Sequence, residues 1–303
     1  MKSLDLRGTI VPLVTAFGPD GALDVAAIRR HVEFLIRAGV HGLFPGGTTA
    51  EGPLLSHEER ERLATTVVEA ADGRLPVVVQ TGTASTAETI ELSRQAAAAG
   101  ADAVAIVTPW YYRLTDAALV AHYLRVAQAI PDMPVILYNI PQNTGNFLSP
   151  ATIATIAAGA PNVVAVKDST GDLAQLSDII AATEGRLRVF EGNDAVVLPA
   201  LELGATGSVS GNANVFPEVF VELYDAYWAA DIEAARRAQA QIQVIRRALR
   251  NGDLGLFKAV LARRGMAVGG VRGPLAEPTP REVEACLRGL AEGGIEVKTA
   301  GSG

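Results

Sequence analysis

Lys167 ends the run Val163-Val164-Ala165-Val166, which is apolar up to the lysine itself. A lysine that follows such a run into the mouth of a barrel or cleft must be paired or lose its charge. The neutral amine attacks carbonyls, and with a 2-oxo acid it forms a Schiff base. A structural reading competes with this one: Lys167 reaches the rim, or pairs with the adjacent Asp168. Gly46-Gly47-Thr48-Thr49 joins a permissive backbone to two hydroxyls, which makes either a nest for a carboxylate or a plain tight turn. Tyr138 and Tyr111 can shuttle protons at a reacting carbonyl, and tyrosines in such places also serve as amphipathic packing residues.

These side chains need a scaffold, and hydrophobic periodicity supplies one. Short β-branched runs recur at 8–17, 42–46, 76–81, 103–108, 134–139, 163–168, 187–191 and 206–210. Between them, apolar residues at three- and four-residue spacing predict helices at 25–38, 57–71, 86–99 and 116–129. Near-continuous apolar strands such as Val77-Val78-Val79 suit a parallel sheet buried on both faces. Ser56 with Glu59, Ser149-Pro150, and Thr279-Pro280 with Glu282 mark helix starts. Gly39, Gly100 and Gly204 recur just before strands, where C′ residues with positive φ belong. After residue 230 the strand pattern stops, and helices are expected at 231–250, 253–264 and 280–292. The expected fold class is α/β: a (β/α)8 TIM barrel over 1–230 that carries the active site, with a C-terminal helical extension over 231–303. The tail Thr299–Gly303 reads as disordered. In such a barrel the residues at the carboxyl ends of the strands line the active site, and every candidate above sits at one.

Composition narrows the partners. The chain has 303 residues, 49% of them apolar, and a formal net charge of -7, which argues against nucleic acid or an anionic membrane surface as partner. The expected partner is a small molecule. His31, His41, His57 and His122 lie far apart, and Cys286 is alone, so no metal site, disulfide or redox motif is expected. The amino terminus lacks the apolar core of a signal peptide, and no stretch reaches membrane-spanning length, which reads as cytosolic. Glu191 and Asp194 stand where a barrel's phosphate site would prefer uncharged glycine-rich turns.

Four phrases occur in order, each at an expected strand end: Gly47-Thr48-Thr49-Ala50-Glu51, Thr108-Pro109-Trp110-Tyr111-Tyr112, Tyr138-Asn139-Ile140-Pro141 and Val166-Lys167-Asp168-Ser169. Together they resemble the dihydrodipicolinate synthase / N-acetylneuraminate lyase family of class I aldolases, over nearly the whole chain. The resemblance implies Lys167 as the Schiff-base lysine and pyruvate as the common partner, with no cofactor beyond that covalent imine. It implies Thr48 and Thr49 on the pyruvate carboxylate and Tyr138 as proton shuttle. Tyr111 would reach across from a neighbouring subunit of a homotetramer to complete a relay with Thr48, and Gly192 and the backbone of Val209 would shape the pocket floor. The family's Tyr-Asn-x-Pro-x-Arg-Thr-Gly phrase carries an arginine for the second substrate's carboxylate, where this chain has Asn143. That departure, with Ser210-Gly211-Asn212 and Tyr111-Tyr112-Arg113, resembles the aldolases of 2-keto-3-deoxy sugar acids and 4-hydroxy-2-oxoglutarate, and Gln142, Asn143, Asn193 and Ser210 would then meet substrate hydroxyls. Ala50 replaces the glycine usual after the paired threonines. The leading expectation is an aldolase or dehydratase of such acids, and the alternatives are 4-hydroxy-tetrahydrodipicolinate synthase, with Arg113 standing in for the missing arginine, and a non-catalytic metabolite-binding barrel.

Overall fold

Eight short parallel strands form one ring: β1 (Gly8–Val11), β2 (Gly42–Leu43), β3 (Val78–Gln80), β4 (Ala103–Val107), β5 (Val135–Asn139), β6 (Val163–Asp168), β7 (Arg188–Glu191) and β8 (Gly207–Val209). Their order is β2-β1-β8-β7-β6-β5-β4-β3, and a parallel bridge between Leu43 and Val77 links β2 to the start of β3. The computed structural model describes residues 6–297. All eight expected strands are present, and all but β6 are shorter than their apolar runs. The first ends at Val11 because Pro12 has no N–H for the ladder, and the chain beyond makes an antiparallel bridge between Phe17 and Leu23.

Helices alternate with the strands: α1 (Val25–Arg37), α2 (His57–Ala71), α3 (Thr86–Ala98), α4 (Asp116–Ala129), the short α5 (Pro141–Thr144) at the cavity, α6 (Pro150–Gly159), α7 (Leu173–Ala182), α8 (Val197–Glu202) and α9 (Pro217–Trp228). Ser56 and Glu59 make the reciprocal capping box read from the sequence, as do Thr279 and Glu282. Gly39, Gly100 and Gly204 have φ of +83°, +89° and +104°, the left-handed turn that feeds each helix into the next strand. Three more helices follow: α10 (Ile232–Ala248), α11 (Leu254–Arg263) and α12 (Pro280–Glu292). The tail expected to be disordered lies outside the described residues.

The strand alternation sorts the core into two layers. Ile10, Phe44, Val78, Ala105, Ile136, Ala165, Phe190 and Val209 fill the barrel interior, while Val104, Leu137, Val166 and Val189 face the helices in the larger outer core. The interior of β4 and β6 is lined with alanines, which leaves room beneath the barrel mouth for long side chains from β5 and β6.

Candidate active site

Inward alternation along β6 puts Ala165 and Lys167 inside the barrel, while Val166 and Asp168 face outward. Lys167 and Asp168 are therefore not a pair. The Asp168 carboxylate accepts hydrogen bonds from Asn139 (2.7 Å), Gln175 (3.3 Å) and the Thr170 hydroxyl, and burial raises its pKa. Lys167, 5% exposed, instead meets aromatic faces: its Nζ is 3.9 Å from the Tyr138 ring centroid and 4.8 Å from that of Phe44. Tyr138 is the register partner of Lys167 across the β5–β6 ladder, so the two side chains rise into the same cavity side by side.

The Tyr138 hydroxyl is 3.3 Å from Thr48 Oγ1, close enough to share a proton in either direction. Thr48 and Thr49 lie in the turn after β2, which folds on itself through Ala50 N to Gly47 O (3.1 Å) and Gly52 N to Gly47 O (3.0 Å). Ala50 is buried with its carbonyl accepting from Thr15 Oγ1, so the extra methyl joins the outer core rather than narrowing the pocket. A cavity of about 840 Å³ opens above Lys167, with Thr48, Thr49, Tyr138, Asn143, Gly192 and Val209 in its wall. A Cβ on Gly192 would stand 2.0 Å from Ser169 Oγ and 3.0 Å from Ser169 Cα, so only glycine fits between β6 and the cavity there.

Two expected site residues stand elsewhere. The Ser210 hydroxyl donates to Asp194 Oδ2 (2.7 Å), and the residue is fully buried outside the cavity wall, so it does not face a substrate. Tyr111 is 86% exposed, stacked edge-on against Tyr112 at 5.1 Å and held at φ +80°, a strained backbone for a non-glycine residue. Within one chain it is not part of the cavity wall. Arg113, considered as a stand-in for the family arginine, donates to the Gly145 carbonyl and is likewise outside the wall.

Three further features have no local sequence signal. Glu51, at the end of the Gly-Thr-Thr turn and at φ +58°, accepts from Lys258 Nζ of α11 (2.6 Å) and from Arg272 N (2.6 Å); the two paired side chains are at most 1% exposed. A buried ion pair thus ties the threonine turn to the C-terminal region. Behind the cavity Asp168, Glu191 and Ser208 are consecutive register partners across β6, β7 and β8 on the outward face, with Tyr224 donating to Ser208. Burial pushes Glu191 up to about 8, and burial raises Asp194 as well. The third feature is Arg246, near the end of α10, which enters the cavity wall. Among the described residues, no group of three or more His, Cys, Asp and Glu is placed to hold a metal ion, and no helix is long and apolar enough to cross a membrane.

Eight βα units in a parallel ring, with a buried lysine and a tyrosine–threonine pair gathered at the strands' carboxyl ends, define an α/β-barrel enzyme. Comparison with known proteins gives the family. The chain belongs to the Dihydrodipicolinate synthetase family, whose pattern matches residues 5–290, and it is a lyase of that family. It is 42% identical to an uncharacterized DapA-like lyase of Halobacterium salinarum over 90% of this chain and 89% of that one. It is 41% identical to the 4-hydroxy-tetrahydrodipicolinate synthase of Methanothrix thermoacetophila over 93% and 95% of the two chains. Among solved structures, YagE, a prophage protein of this family from Escherichia coli K12 solved in complex with pyruvate, superposes with a TM-score of 0.93 at 30% identity, over 97% of this chain and all of that one. A dihydrodipicolinate synthase structure superposes with a TM-score of 0.89 at 33% identity, over 95% and 99% of the two chains.

Proposed function

We propose that the protein makes or breaks a carbon-carbon bond between pyruvate, held as an imine on Lys167, and a small aldehyde, the product being a 2-keto-3-deoxy sugar acid or hydroxy-2-oxo acid. The single observation that carries this reading is the juxtaposition of Lys167 Nζ with Tyr138, whose hydroxyl lies 3.3 Å from Thr48. The Lys167 amine attacks the pyruvate carbonyl, water leaves, and an iminium forms. Loss of a methyl proton gives the enamine, whose terminal carbon attacks the aldehyde carbon. The electron pair of the enamine double bond becomes the new carbon-carbon bond, the nitrogen lone pair restores the iminium, and the aldehyde oxygen takes a proton delivered by Tyr138. Water then releases the product and regenerates the amine. Thr48 and Thr49 hold the pyruvate carboxylate, Gly192 and Val209 form the floor, and Asn143 meets the acceptor. The reading requires no resident cofactor. The bond to Lys167 makes borohydride trapping with pyruvate the test: a pyruvyl adduct confined to Lys167 supports it, and an adduct unchanged in Lys167→Ala would sink it.

Pyruvate in the YagE crystal supports the choice of partner. The exposed, strained Tyr111 supports a homotetramer in which that ring completes the relay of a neighbouring subunit. The second reading is 4-hydroxy-tetrahydrodipicolinate synthase, favoured by the names of several relatives near 40% identity. Against it stands Asn143, which cannot make the bidentate charged contact of an arginine. Turnover of aspartate semialdehyde with pyruvate would decide for that reading, and its absence beside turnover of other aldehydes would decide against it.

A further inference from the structure

The cavity wall holds two basic side chains, Lys167 at the base of the cavity and Arg246 from α10. Helix geometry explains the second. Gln239, Gln243 and Arg246 are spaced four and three residues apart, so they share one face of α10. The first two anchor that face to the turn after β7: Gln239 Nε2 donates to Asp194 O (2.9 Å), Gln239 Oε1 accepts from Leu198 N (2.9 Å), and Gln243 Nε2 donates to Ala195 O (2.6 Å). The same face therefore delivers Arg246 to the cavity at the carboxyl ends of the strands. Asn251 Oδ1 accepts from Arg246 Nη1 and orients the group, while Arg246 Nε is buried with no hydrogen-bond partner.

Of the carboxylates nearby, Asp194 is close enough for the Arg246 charge to lower its pKa, against the larger upward push of burial. Asp194 accepts from Ser210 and Asn212 and is pushed toward its neutral form by burial. Asp253 caps α11 by accepting from Leu256 N (3.1 Å), with Arg250 3.9 Å away. The first two residues of α11, Leu254 and Gly255, also line the cavity and add the positive end of a helix to the same wall.

We propose that Arg246 determines acceptor specificity by binding an anionic group at the end of the aldehyde remote from its carbonyl. This rests on the Lys167 reading, because a 2-oxo acid bound there with its carboxylate on Thr48 and Thr49 leaves Arg246 for the other reactant. The acceptor is then an aldehyde tailed with a carboxylate or phosphate, both of which fit an arginine fork. The arginine absent at Asn143 is supplied from a different element at a different wall of the cavity.

The experiment compares kcat/KM with pyruvate and three aldehydes, glyceraldehyde, glyceraldehyde 3-phosphate and succinic semialdehyde, in the unaltered protein, in Arg246→Ala and in Arg246→Lys. Borohydride trapping with pyruvate is run on each. The inference expects the unaltered protein to prefer an anionic aldehyde over glyceraldehyde. Arg246→Ala should cut that preference about tenfold to a hundredfold, mostly through KM, because a hydrogen bond to a charged group is worth about 1.5–3 kcal/mol. Arg246→Lys should restore part of it, and the identity of the better anion names the tail as phosphate or carboxylate. Equal losses for charged and neutral aldehydes, or no preference in the unaltered protein, with the pyruvyl adduct still forming on Lys167, would overturn the inference alone. Absence of the adduct in the unaltered protein would overturn the Schiff-base reading, and the inference with it.

Discussion

Burial, with Asp168 and Asp194 close by, raises Glu191 to about 8, far above its value of about 4.3 in an unfolded chain. One of its oxygens accepts from Asn193 N (2.7 Å), and the other is buried without a partner, which is where a proton belongs. Because the folded state holds that proton and the unfolded chain releases it, this group favours folding most below about pH 4.5, and its contribution declines as pH rises toward 8. The slope is opposite to that of a salt-bridged carboxylate. Urea unfolding of the purified protein should therefore show stability falling between pH 5.5 and 8.5, and Glu191→Gln should flatten part of that fall; identical slopes in the two proteins would refute the buried, protonated carboxyl. Gly192 follows directly in the chain and is equally constrained. Gly192→Ala drives a methyl into Ser169, including its backbone, so a loss of about 1–3 kcal/mol is expected from overpacking. The yield of trapped pyruvyl adduct should fall with it, since Ser169 lies two residues after Lys167 and lines the same cavity.

Between the β2 turn and α11 runs the Glu51–Lys258 pair, and its effect belongs to both elements. Lys258 Nζ also donates to Gly270 O (2.6 Å) and sits 4.5 Å from the Phe17 ring centroid, so one ammonium joins three separate stretches of chain. Removing one partner leaves a buried charge uncompensated, a loss of about 3–5 kcal/mol, whereas replacing both by neutral groups of similar size is far milder. Lys258→Met should thus lower Tm sharply and raise KM for pyruvate by loosening the Thr48–Thr49 turn, and adding Glu51→Gln should recover much of the Tm. A loss under about 1 kcal/mol in Lys258→Met would show the pair to be incidental. This pair also marks where the sequence stopped being legible. Strand positions, the helices at 57–71, 116–129 and 280–292, and the capping boxes were readable because each rests on neighbours within one turn or one pleat. The gathering of Lys167, Tyr138 and Thr48 around one cavity was readable because a parallel barrel sends the carboxyl ends of its strands to one rim. Glu51 and Lys258 are 207 positions apart and Arg246 looks like an ordinary basic residue in a helix's last turn, so neither leaves a local pattern. Ser210 was misplaced for a related reason: at the end of β8 only the actual partner, Asp194, decides which way the hydroxyl turns.

Within one chain Tyr111 stands apart from the cavity wall. Its ring is exposed beside that of Tyr112, on a backbone turned to φ +80°, and a strained, solvent-facing aromatic pair is stabilised when a second surface covers it. A symmetric assembly that brings Tyr111 to the Thr48 of a neighbouring subunit would make each site a product of two chains, and catalysis then becomes a test of assembly. In such an assembly Lys167→Ala would remove the nucleophile from its own site, and Tyr111→Phe would remove the relay hydroxyl from the neighbour's. Each variant alone should lose most activity. Co-expressed in equal amounts, they form mixed pairs in which a chain with intact Lys167 receives an intact Tyr111 from its Lys167→Ala partner. With random pairing, half the pairs are mixed and each holds one complete site of two, so about a quarter of full activity should return. Recovery near that level, together with a sedimentation mass larger than one chain, requires the hydroxyl to cross between subunits. Co-expressed variants no more active than their parents would place the relay within one chain and leave Tyr111 a surface residue.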